Sequence, residues 1–416
     1  MEDILLRGIK QKKKRILKEE VEYNVDGERL PLLNTFDSLK TKAPFSSPLL
    51  AQKVVVPYFM KKYNIIVQAF TGSGKTLSYC LPLVETARNE NLFGMILVPG
   101  RALVRQVYRV VREIKHRELE IKGIYRDGSE DFFVEEDEEG GLVERRIDSR
   151  TQKEIAGFPR EGGRIVIGTL PSILSLMDLF EMKAITHLII DEADLLINPE
   201  TIDVFASILQ EIDVEKTHVG CFSATMNEYV EQVIETVKNI TKIHIVSRKH
   251  IDHEFVFGTN RKIKHLSLLQ IVADGIESPT LIFVRNEETG EFLSKLLDRS
   301  GVYKEGSGES AEVLDDFRLK KIWYLFATDA LSRGIDFYNI RSVINYDLPD
   351  TKTQLVHRVG RVNRNCQGQK VYTIYSGEDF GRISLVAEFL EENGHEIPSH
   401  ITRIIEKSRK RIGRRS

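Results

Sequence analysis

Short, continuously apolar segments recur along the chain, and longer stretches of helical periodicity separate them. Uninterrupted apolar runs are typical of parallel strands that helices cover on both faces, because neither face meets water. The first six segments are NIIVQAF, GMILVPG, RIVIGT, HLIIDEAD, HVGCFSAT and KIHIVS, and the next four are PTLIFVRN, IWYLFATDA, RSVINYDLP and KVYTIYS. The pattern predicts an α/β protein with two successive domains, each a mostly parallel sheet flanked by helices.

The boundary between the two domains should lie near SRKHIDHEFVFGTN, after the last strand of the first set. We therefore predict a first domain at 35–250 and a second at 259–400, with an N-terminal extension at 1–34 and a basic tail at 401–416. The segment from Asp127 to Gly163 carries the acidic run EDFFVEEDEEGG and several glycines. It is predicted to be a long surface insertion without regular structure.

Length and composition are those of an intracellular globular protein. The chain has 416 residues, and roughly 150 residues per domain gives two or three domains. No apolar run approaches the roughly 18–20 residues that cross a bilayer, and the N-terminal MEDILLRGIKQKKKR does not fit a signal peptide. The three cysteines are far apart and lack metal-type spacing. We expect a reducing compartment and no membrane association.

The net charge of −2 conceals local asymmetry. KQKKKR near the N-terminus and EKSRKRIGRRS at the C-terminus are basic. Such segments bind polyanions or act as nuclear import signals, but charge alone favours solvated helix faces and tails. Charge alone leaves both interpretations open.

The segment TGSGKT joins a predicted strand to a predicted helix, which is the setting of a phosphate-binding loop. Glycines let backbone N–H groups approach phosphate oxygens, and the helix N-terminus favours negative charge. Lys75 would reach the β- and γ-phosphates, and Thr76 would bind Mg²⁺. Ala69 stands where the strict GxxxxGK[ST] pattern has its first glycine.

The segment LIIDEADLLI places acidic residues at the carboxyl end of a predicted strand. In open α/β sheets, ligands bind at that end. Asp191 would hold Mg²⁺, and Glu192 would orient or deprotonate the attacking water. An isolated acidic cluster is usually a solvated loop, but one that follows a phosphate-binding loop indicates a metal-and-water site.

Six motifs resemble those of DEAD-box ATP-dependent RNA helicases in order and spacing: AFTGSGKT, DEAD, SAT, ATDALSRGID, NYDLP and HRVGRVNR. The resemblance covers about residues 36–380. It implies two tandem RecA-like domains that close together on ATP and single-stranded RNA. It also implies an RNA-dependent ATPase with Mg²⁺ as the metal.

The resemblance assigns a role to each candidate residue by its position in these motifs and in FSSPLLAQ, PGRAL and TLPS, and it implies that Phe45 stacks on the adenine ring while Gln52 bonds its edge. Residues expected to bind ATP are Phe45, Gln52, Ala69, Phe70, Thr71, Gly72, Ser73, Gly74, Lys75, Thr76, Gly334 and Asp336. Residues expected to act in catalysis are Lys75, Asp191, Glu192, Arg361 and Arg364, with Thr76 and Asp191 as Mg²⁺ ligands. Residues expected to couple ATP to RNA are Asp194, Ser223, Thr225 and His357, and those expected to contact RNA are Arg101, Thr169 and Thr328.

The chain departs from the family mainly in the RNA-contacting motifs. PTREL is replaced by PGRAL, with Gly100 and Ala102, and the arginine of TPxR is replaced by Ser172. SGES lacks the glutamine and arginine usual there, and GRTGR reads GRVNR. Since phosphate contacts carry most non-specific affinity, we expect weak intrinsic RNA binding, with partial compensation from the basic tail.

Three further segments resemble the DEAD-box subfamily that acts in small ribosomal subunit assembly: YNVDGERLPLLNTFDSL, HEFVFGTNRKIKHLSLLQIVADGIESPTLIFVRN and SRGIDFYNIRSVINYD. The segment NGHEIPSHI near the C-terminus also fits this subfamily. This resemblance implies pre-ribosomal RNA as substrate, ribosome-assembly proteins as partners, a monomer, and a nucleolar location with the cytoplasm as alternative. Two other hypotheses remain: a slow-turnover ATP-dependent RNA clamp, and a DNA helicase.

Overall fold

The computed structural model describes residues 21–88, 90–137, 141–157, 163–247, 252–304, 310–332, 340–362, 369–392 and 397–412. The strands of the first half are β1 (Val21–Asp26), β2 (Asn64–Ala69), β3 (Phe93–Val98), β4 (Glu120–Asp127), β5 (Glu130–Glu136), β6 (Leu142–Arg146), β7 (Arg164–Thr169), β8 (His187–Asp191), β9 (His218–Ser223) and β10 (Ile240–Ser247). Its helices are α1 (Leu50–Met60), α2 (Lys75–Ala87), α3 (Arg101–Ile114), α4 (Ser149–Ala156), α5 (Leu170–Ser175), α6 (Ala193–Leu196), α7 (Ile202–Glu211) and α8 (Glu228–Glu235).

The strands of the second half are β11 (Asp252–Phe257), β12 (Thr280–Phe283), β13 (Ser300–Val302), β14 (Tyr324–Ala327), β15 (Ser342–Asn345) and β16 (Lys370–Tyr375). Its helices are α9 (Arg261–Ala273), α10 (Glu287–Ser294), α11 (Ser310–Arg318), α12 (Asp329–Ser332), α13 (Lys352–Val359), α14 (Ile383–Glu392) and α15 (Ser399–Ile412). All ten strands predicted from the apolar runs are present.

The two sheets give the chain two RecA-like domains, which confirms the predicted fold class. The first sheet has the order β1-β10-β2-β9-β8-β3-β7-β4-β5-β6 and is parallel from β10 to β4. The second has the order β11-β16-β15-β12-β14-β13 and is parallel throughout. Strands β3, β7 and β8 are buried along their whole length, as strands with covered faces must be.

Each sheet separates two apolar layers. In the first domain, α1, α2 and α3 cover one face, while α5, α7 and α8 cover the other. In the second domain, α11, α13, α14 and α15 cover one face, and α9 and α10 cover the other. The carboxyl ends of β2, β8 and β9 therefore meet at one edge of the first sheet, where the candidate motifs follow them.

The predicted unstructured insertion is wrong for most of its length. Strands β5 and β6 extend the first sheet antiparallel to β4, and α4 follows them. Phe133 and Val134 are buried within the acidic run, and arginines neutralise its carboxylates, for example Arg145 beside Glu135. The acidic composition suggested a solvated segment, because the arginines that pair with these carboxylates lie on other strands and helices and cannot be recognised from the local sequence.

Three packed elements lie outside or across the predicted domain limits. Strand β1 belongs to the predicted extension, yet it pairs antiparallel with β10 at the edge of the first sheet. Strand β11 precedes the predicted start of the second domain and pairs with β16. Helix α15 crosses the predicted limit at residue 400, and its Ile401 is fully buried in the second core.

Candidate active site

The phosphate-binding loop follows β2 and leads into α2, as predicted. Gly72 and Gly74 have φ values of 77° and 90°, in the left-handed region that favours glycine. The Nζ of Lys75 donates to the carbonyl oxygen of Ala69 at 2.9 Å. The side-chain oxygens of Thr71 and Ser73 are buried and lack a hydrogen-bond partner among the described residues. The loop thus presents free polar atoms beside a buried lysine.

Ala69 is accommodated where the strict pattern has glycine. It is the last residue of β2, and its side chain is 1% exposed and packed in the first core. Its methyl group therefore points into the core, while its backbone carbonyl holds Lys75. The substitution leaves the phosphate-facing side of the loop unchanged.

The predicted adenine-reading residues lie beside this loop. Gln52 is 2% exposed; its Oε1 accepts from the Leu49 N–H at 2.8 Å, and its Nε2 lies 3.5 Å from the Gly74 carbonyl oxygen. The Phe45 ring is 64% exposed and open to stacking. Phe36, an aromatic residue nine positions before Phe45, is buried in the first core and has no free face for a base.

Asp191 ends β8 in a buried position opposite the loop. Its Oδ2 accepts from the Tyr79 hydroxyl at 2.6 Å, and its Oδ1 accepts from the Glu192 N–H at 3.0 Å. Burial and then the nearby charge of Glu192 raise the pKa of Asp191 to about 7. A cation beside Asp191 would favour its ionised form, and carboxylate with hydroxyl oxygens suits Mg²⁺. Asp191 and Thr76 therefore fit the predicted ligand role.

Glu192 adopts an unusual backbone conformation. Its φ of 49° lies in the left-handed region, where a side chain other than glycine is strained. Its Oε2 is buried without a partner among the described residues and lies 4.0 Å from His357 Nε2. The turn directs the carboxylate towards His357 of the second domain.

The predicted coupling residues form one hydrogen-bonded group across the two domains. Asp194 Oδ2 accepts from the Thr225 N–H at 3.1 Å and its hydroxyl at 2.5 Å, and the Asp194 N–H donates to Ser223 at 3.2 Å. His357 Nε2, from the second domain, lies 3.2 Å from Asp194 Oδ2. Burial would raise the pKa of Asp194, but the bonds from His357 and Thr225 outweigh it and lower that pKa.

The ligand atoms of Glu192, Asp194 and His357 lie within 4.8 Å of one another, a spacing that could suit a metal ion. Asp194 Oδ2 already accepts bonds from Thr225 and lies beside His357. We therefore interpret this group as a contact between domains. Thr225 and Thr353 add a second link, with their hydroxyl oxygens 3.1 Å apart.

The two arginines of HRVGR have different surroundings. Arg361 Nε donates to the His357 carbonyl at 3.3 Å, and its side chain is partly exposed near the cleft. Arg358 is 2% exposed and pairs with both Asp329 oxygens at 2.6 and 2.8 Å. Sequence reasoning missed Arg358 and Tyr79; the helical spacing of Arg358 from Arg361 and of Tyr79 from Lys75 could have indicated their positions.

The predicted RNA-contacting residues lie at the ends of strands and on α3. Thr169 ends β7, and its hydroxyl lies 2.9 Å from that of Ser172. Thr328 follows β14 and is partly exposed. Arg101 begins α3 and forms ion pairs with Glu144 and Asp127. Gly334, Asp336 and Arg364 lie outside the described residues, so their predicted roles stay predictions.

Two family models match successive parts of this chain. The DEAD/DEAH box helicase model matches residues 50–233, and the helicase conserved C-terminal domain model matches residues 261–366. The chain belongs to the DEAD-box RNA helicases. Its two-domain cleft is therefore that of an RNA-dependent ATPase, which confirms the predicted enzyme class, with ATP and RNA as its ligands.

Curated relatives of similar architecture include RNA helicases from fungi and plants. The chain is 25% identical to the ATP-dependent RNA helicase ROK1 of Kluyveromyces lactis over 95% of this chain and 71% of that protein. It is 26% identical to the DEAD-box ATP-dependent RNA helicase 57 of Oryza sativa over 95% of this chain and 75% of that protein.

Solved structures share the two-domain fold. Dbp5 of S. cerevisiae bound to RNA and ADP BeF3 aligns with a TM-score of 0.67 at 21% identity, covering 91% of this chain and all of that chain. A DEAD box protein of Methanococcus jannaschii aligns with a TM-score of 0.52 at 25% identity, covering 88% of this chain and 99% of that chain. Among the described helices, none has the length and apolar character needed to span a bilayer.

Proposed function

We propose that this helicase hydrolyses Mg²⁺-bound ATP in the cleft between its domains and remodels pre-ribosomal RNA during small ribosomal subunit assembly. The contact of His357 with Asp194 carries the catalytic part of this proposal. It brings the second domain against the residues that follow β8, beside Asp191 and Glu192. Closure of the two domains therefore completes one site from both halves.

Each residue of the cleft has a chemical task in this proposal. Lys75 would bind the transferring phosphate group, and Thr76 with Asp191 would hold Mg²⁺, which neutralises phosphate charge when bound. Glu192 would orient the attacking water and accept its proton. Arg361 would stabilise the charge that develops on the phosphate oxygens.

RNA would bind across the carboxyl ends of the strands of both domains. Arg101, Thr169 and Thr328 lie at those ends and offer positive charge or hydroxyl donors. Ser172 provides a short hydroxyl where the family has arginine, so this surface carries less positive charge than usual. The basic tail would supply part of the missing attraction.

The assignment to ribosome assembly rests on the three further resemblances. The segment YNVDGERLPLLNTFDSL contains the last four residues of β1 and packs Val25, Leu30 and Phe36 into the first core. The segment at the domain junction forms β11 and α9. Both are integral to the fold, which supports a subfamily relationship. On this basis we propose pre-ribosomal RNA as substrate, ribosome-assembly proteins as partners, action as a monomer and a nucleolar location.

Crosslinking of a trapped enzyme tests the substrate. The Glu192→Gln variant should remain on its RNA, because closure is retained while hydrolysis stops. RNA crosslinked to this variant in the native host should be enriched in precursors of small-subunit ribosomal RNA over RNA crosslinked to Lys75→Ala. Enrichment in messenger or transfer RNA instead would contradict the ribosomal assignment and leave the ATPase assignment intact.

The ATPase rate with and without RNA separates the two catalytic hypotheses. The described hydrolytic residues support turnover over a slow clamp, so a single-stranded RNA should raise kcat roughly tenfold or more. A rate that stays low with RNA, while ATP-dependent RNA binding persists, would favour the clamp. Stimulation by single-stranded DNA to the same extent would favour a DNA helicase.

A further inference from the structure

The acidic hairpin, formed by β5 and β6, lies against the predicted RNA surface of the first domain. We define it as the described residues of 130–146. It continues the first sheet beyond β4, with Glu130 opposite Asp127 and Glu144 opposite Val134. Asp131 therefore lies beside the carboxyl end of β4, whereas Glu144 lies level with the middle of β4 and reaches Arg101 at the start of α3.

Glu144 binds the predicted RNA-contacting arginine. Its Oε1 accepts from Arg101 Nε at 3.3 Å, and its Oε2 pairs with Arg101 Nη2. Arg105 Nε, one helical turn further along α3, lies 3.6 Å from Glu144 Oε1. The Glu144 side chain is 14% exposed, and the Arg101 guanidinium lies 5.1 Å from the Tyr125 ring centre. Glu144 thus accepts hydrogen bonds from the guanidinium groups that would otherwise face an RNA phosphate.

Asp131 contacts residues that flank the next RNA motif, Thr169–Ser172. Its oxygens accept from Arg126 Nε at 3.0 Å and Arg126 Nη2 at 2.7 Å. The Ser175 hydroxyl, one turn along α5 from Ser172, donates to Asp131 at 2.7 Å. Burial opposes the ionised form, but the bonds from Arg126 and Ser175 outweigh it and lower the pKa of Asp131.

Carboxylate and phosphate oxygens satisfy the same donors. An arginine fork binds either group in a bidentate manner, and a serine hydroxyl donates to either. Glu144 is matched to Arg101 of one RNA motif. Asp131 is matched to Arg126 on β4 and to Ser175, one turn beyond the second motif. The two carboxylates thus stand where two phosphates of a bound RNA strand would stand, because the strand would pass α3 and then α5.

We propose that the acidic hairpin is an intramolecular mimic of the RNA backbone, and that RNA must displace Glu144 and Asp131 to reach α3 and α5. The inference rests on the proposed role of Arg101 in RNA binding. The hairpin should therefore lower the affinity for single-stranded RNA. It should favour RNA substrates, or complexes with partner proteins, that displace it from α3 and α5.

Replacement of Glu144 by glutamine tests the mimic. The Glu144→Gln variant keeps the side-chain shape but frees Arg101 and Arg105 from the charge. With a non-hydrolysable ATP analogue present, a labelled ten-nucleotide oligouridine should bind about three- to tenfold more tightly than to the wild type. The slope of log affinity against log salt should steepen by about one unit, as expected for one added phosphate contact.

Glu130→Gln is the matched control. It removes the same charge from the same hairpin, but Glu130 pairs with Arg146, 2.8 Å away, and not with α3. Its affinity should stay close to that of the wild type. An equal gain in RNA affinity in both variants would show that the effect comes from net charge alone, and this result would overturn the proposal of a mimic. A loss of affinity in Glu144→Gln would also overturn it, since Glu144 would then position Arg101 for RNA.

A second variant and a reference measurement keep the test decisive. Asp131→Asn should give a smaller gain of the same sign, and thermal unfolding should confirm that each variant is folded. Wild-type RNA binding and RNA-stimulated ATPase are measured in the same series. If Arg101→Gln in the Glu144→Gln background leaves affinity unchanged, the proposed RNA role of Arg101 fails. If only the Glu144 gain is missing, the mimic alone fails.

Discussion

His357 Nε2 lies 3.2 Å from Asp194 Oδ2, and this contact joins the two domains behind the nucleotide site. His357 and Asp194 are both buried, so the contact is shielded from water and electrostatically stronger than a surface pair. The position of the second domain is thereby linked to the segment that carries Glu192. Disturbing this contact should uncouple RNA binding from hydrolysis more than it disturbs ATP binding.

Substitution of His357 by alanine should reduce RNA-stimulated ATPase about 10- to 100-fold, because a buried hydrogen bond to a charged group is lost. ATP binding, measured with a fluorescent analogue, should change little, since His357 lies on the other domain. His400→Ala is the control, because His400 is exposed in the same domain. Unaltered stimulation in His357→Ala would mean that the contact does not couple the domains.

Gly360 closely approaches the phosphate-binding loop. A Cβ at this position would lie 1.7 Å from Thr71 Oγ1 and 2.7 Å from Thr71 Cβ. Gly360→Ala should therefore oppose domain closure and reduce RNA-stimulated turnover at least about tenfold. Closure can be followed by energy transfer between dyes on the two domains. Gly381→Ala, whose Cβ meets nothing within 4 Å, should behave like the wild type; a normal closed population in Gly360→Ala would contradict this account.

Glu192→Gln should retain ATP binding and lose turnover by at least about 100-fold, because only the water-handling group changes. Single-turnover hydrolysis with saturating RNA measures this directly. Glu200→Gln, at an exposed glutamate of the same domain, serves as control. A variant that keeps about half of the wild-type rate would remove Glu192 from its assigned role.

The adenine-reading pair should make the enzyme selective for ATP over GTP. Gln52→Ala should reduce the preference more than Phe45→Ala, because a hydrogen-bonding site rejects a base that leaves its groups unpaired. The ratio of kcat/KM for ATP to kcat/KM for GTP measures this preference. Phe292→Ala removes another exposed ring, 48% exposed, from the second domain and should leave the ratio unchanged. Equal turnover of the two nucleotides by the wild type would contradict the assignment.

The first domain should lose stability in mild acid because of His187. Burial, then the charges of His218 and Lys62, lower the pKa of His187 to about 3. Its folded pKa lies below the unfolded value near 6.5, so the unfolded chain binds the extra proton. The contribution of neutral His187 to the free energy of unfolding is fully present above about pH 6.5. Below that pH the free energy of unfolding decreases, by up to about 1.4 kcal/mol per pH unit.

Urea unfolding between pH 7 and 5 checks this dependence. His187→Phe should flatten the pH dependence, because a neutral ring still stacks on Phe59, whose centroid is 5.4 Å away. His400→Ala should retain the wild-type slope. The same slope in His187→Phe and the wild type would show that other groups cause the acid sensitivity.

Most of the ten predicted strands are buried on both faces and therefore read as apolar runs, whereas β10 alternates buried residues with the exposed Lys242 and His244 and was found from its isoleucines and valine. Edge strands could not be predicted, since one side of β1 or β6 meets water and their residues are mixed in character. The loop and the acidic motif were predicted from local sequence. The Tyr79–Asp191 bond joins residues 112 positions apart, and the pairing of Arg101 with Glu144 joins α3 to β6, so neither leaves a local signal.

The bond between Lys75 and the Ala69 carbonyl bears on the affinity for nucleotide. The lysine is already withdrawn from water and already ordered before any phosphate arrives, because the fold itself holds it. Phosphate binding would then exchange one acceptor for a more negative one, without a new loss of side-chain freedom. Substitutions in β2 that shift this carbonyl should therefore alter ATP affinity, even though the substituted side chains do not contact the nucleotide. The position of a sheet strand thus sets the affinity of the loop that follows it.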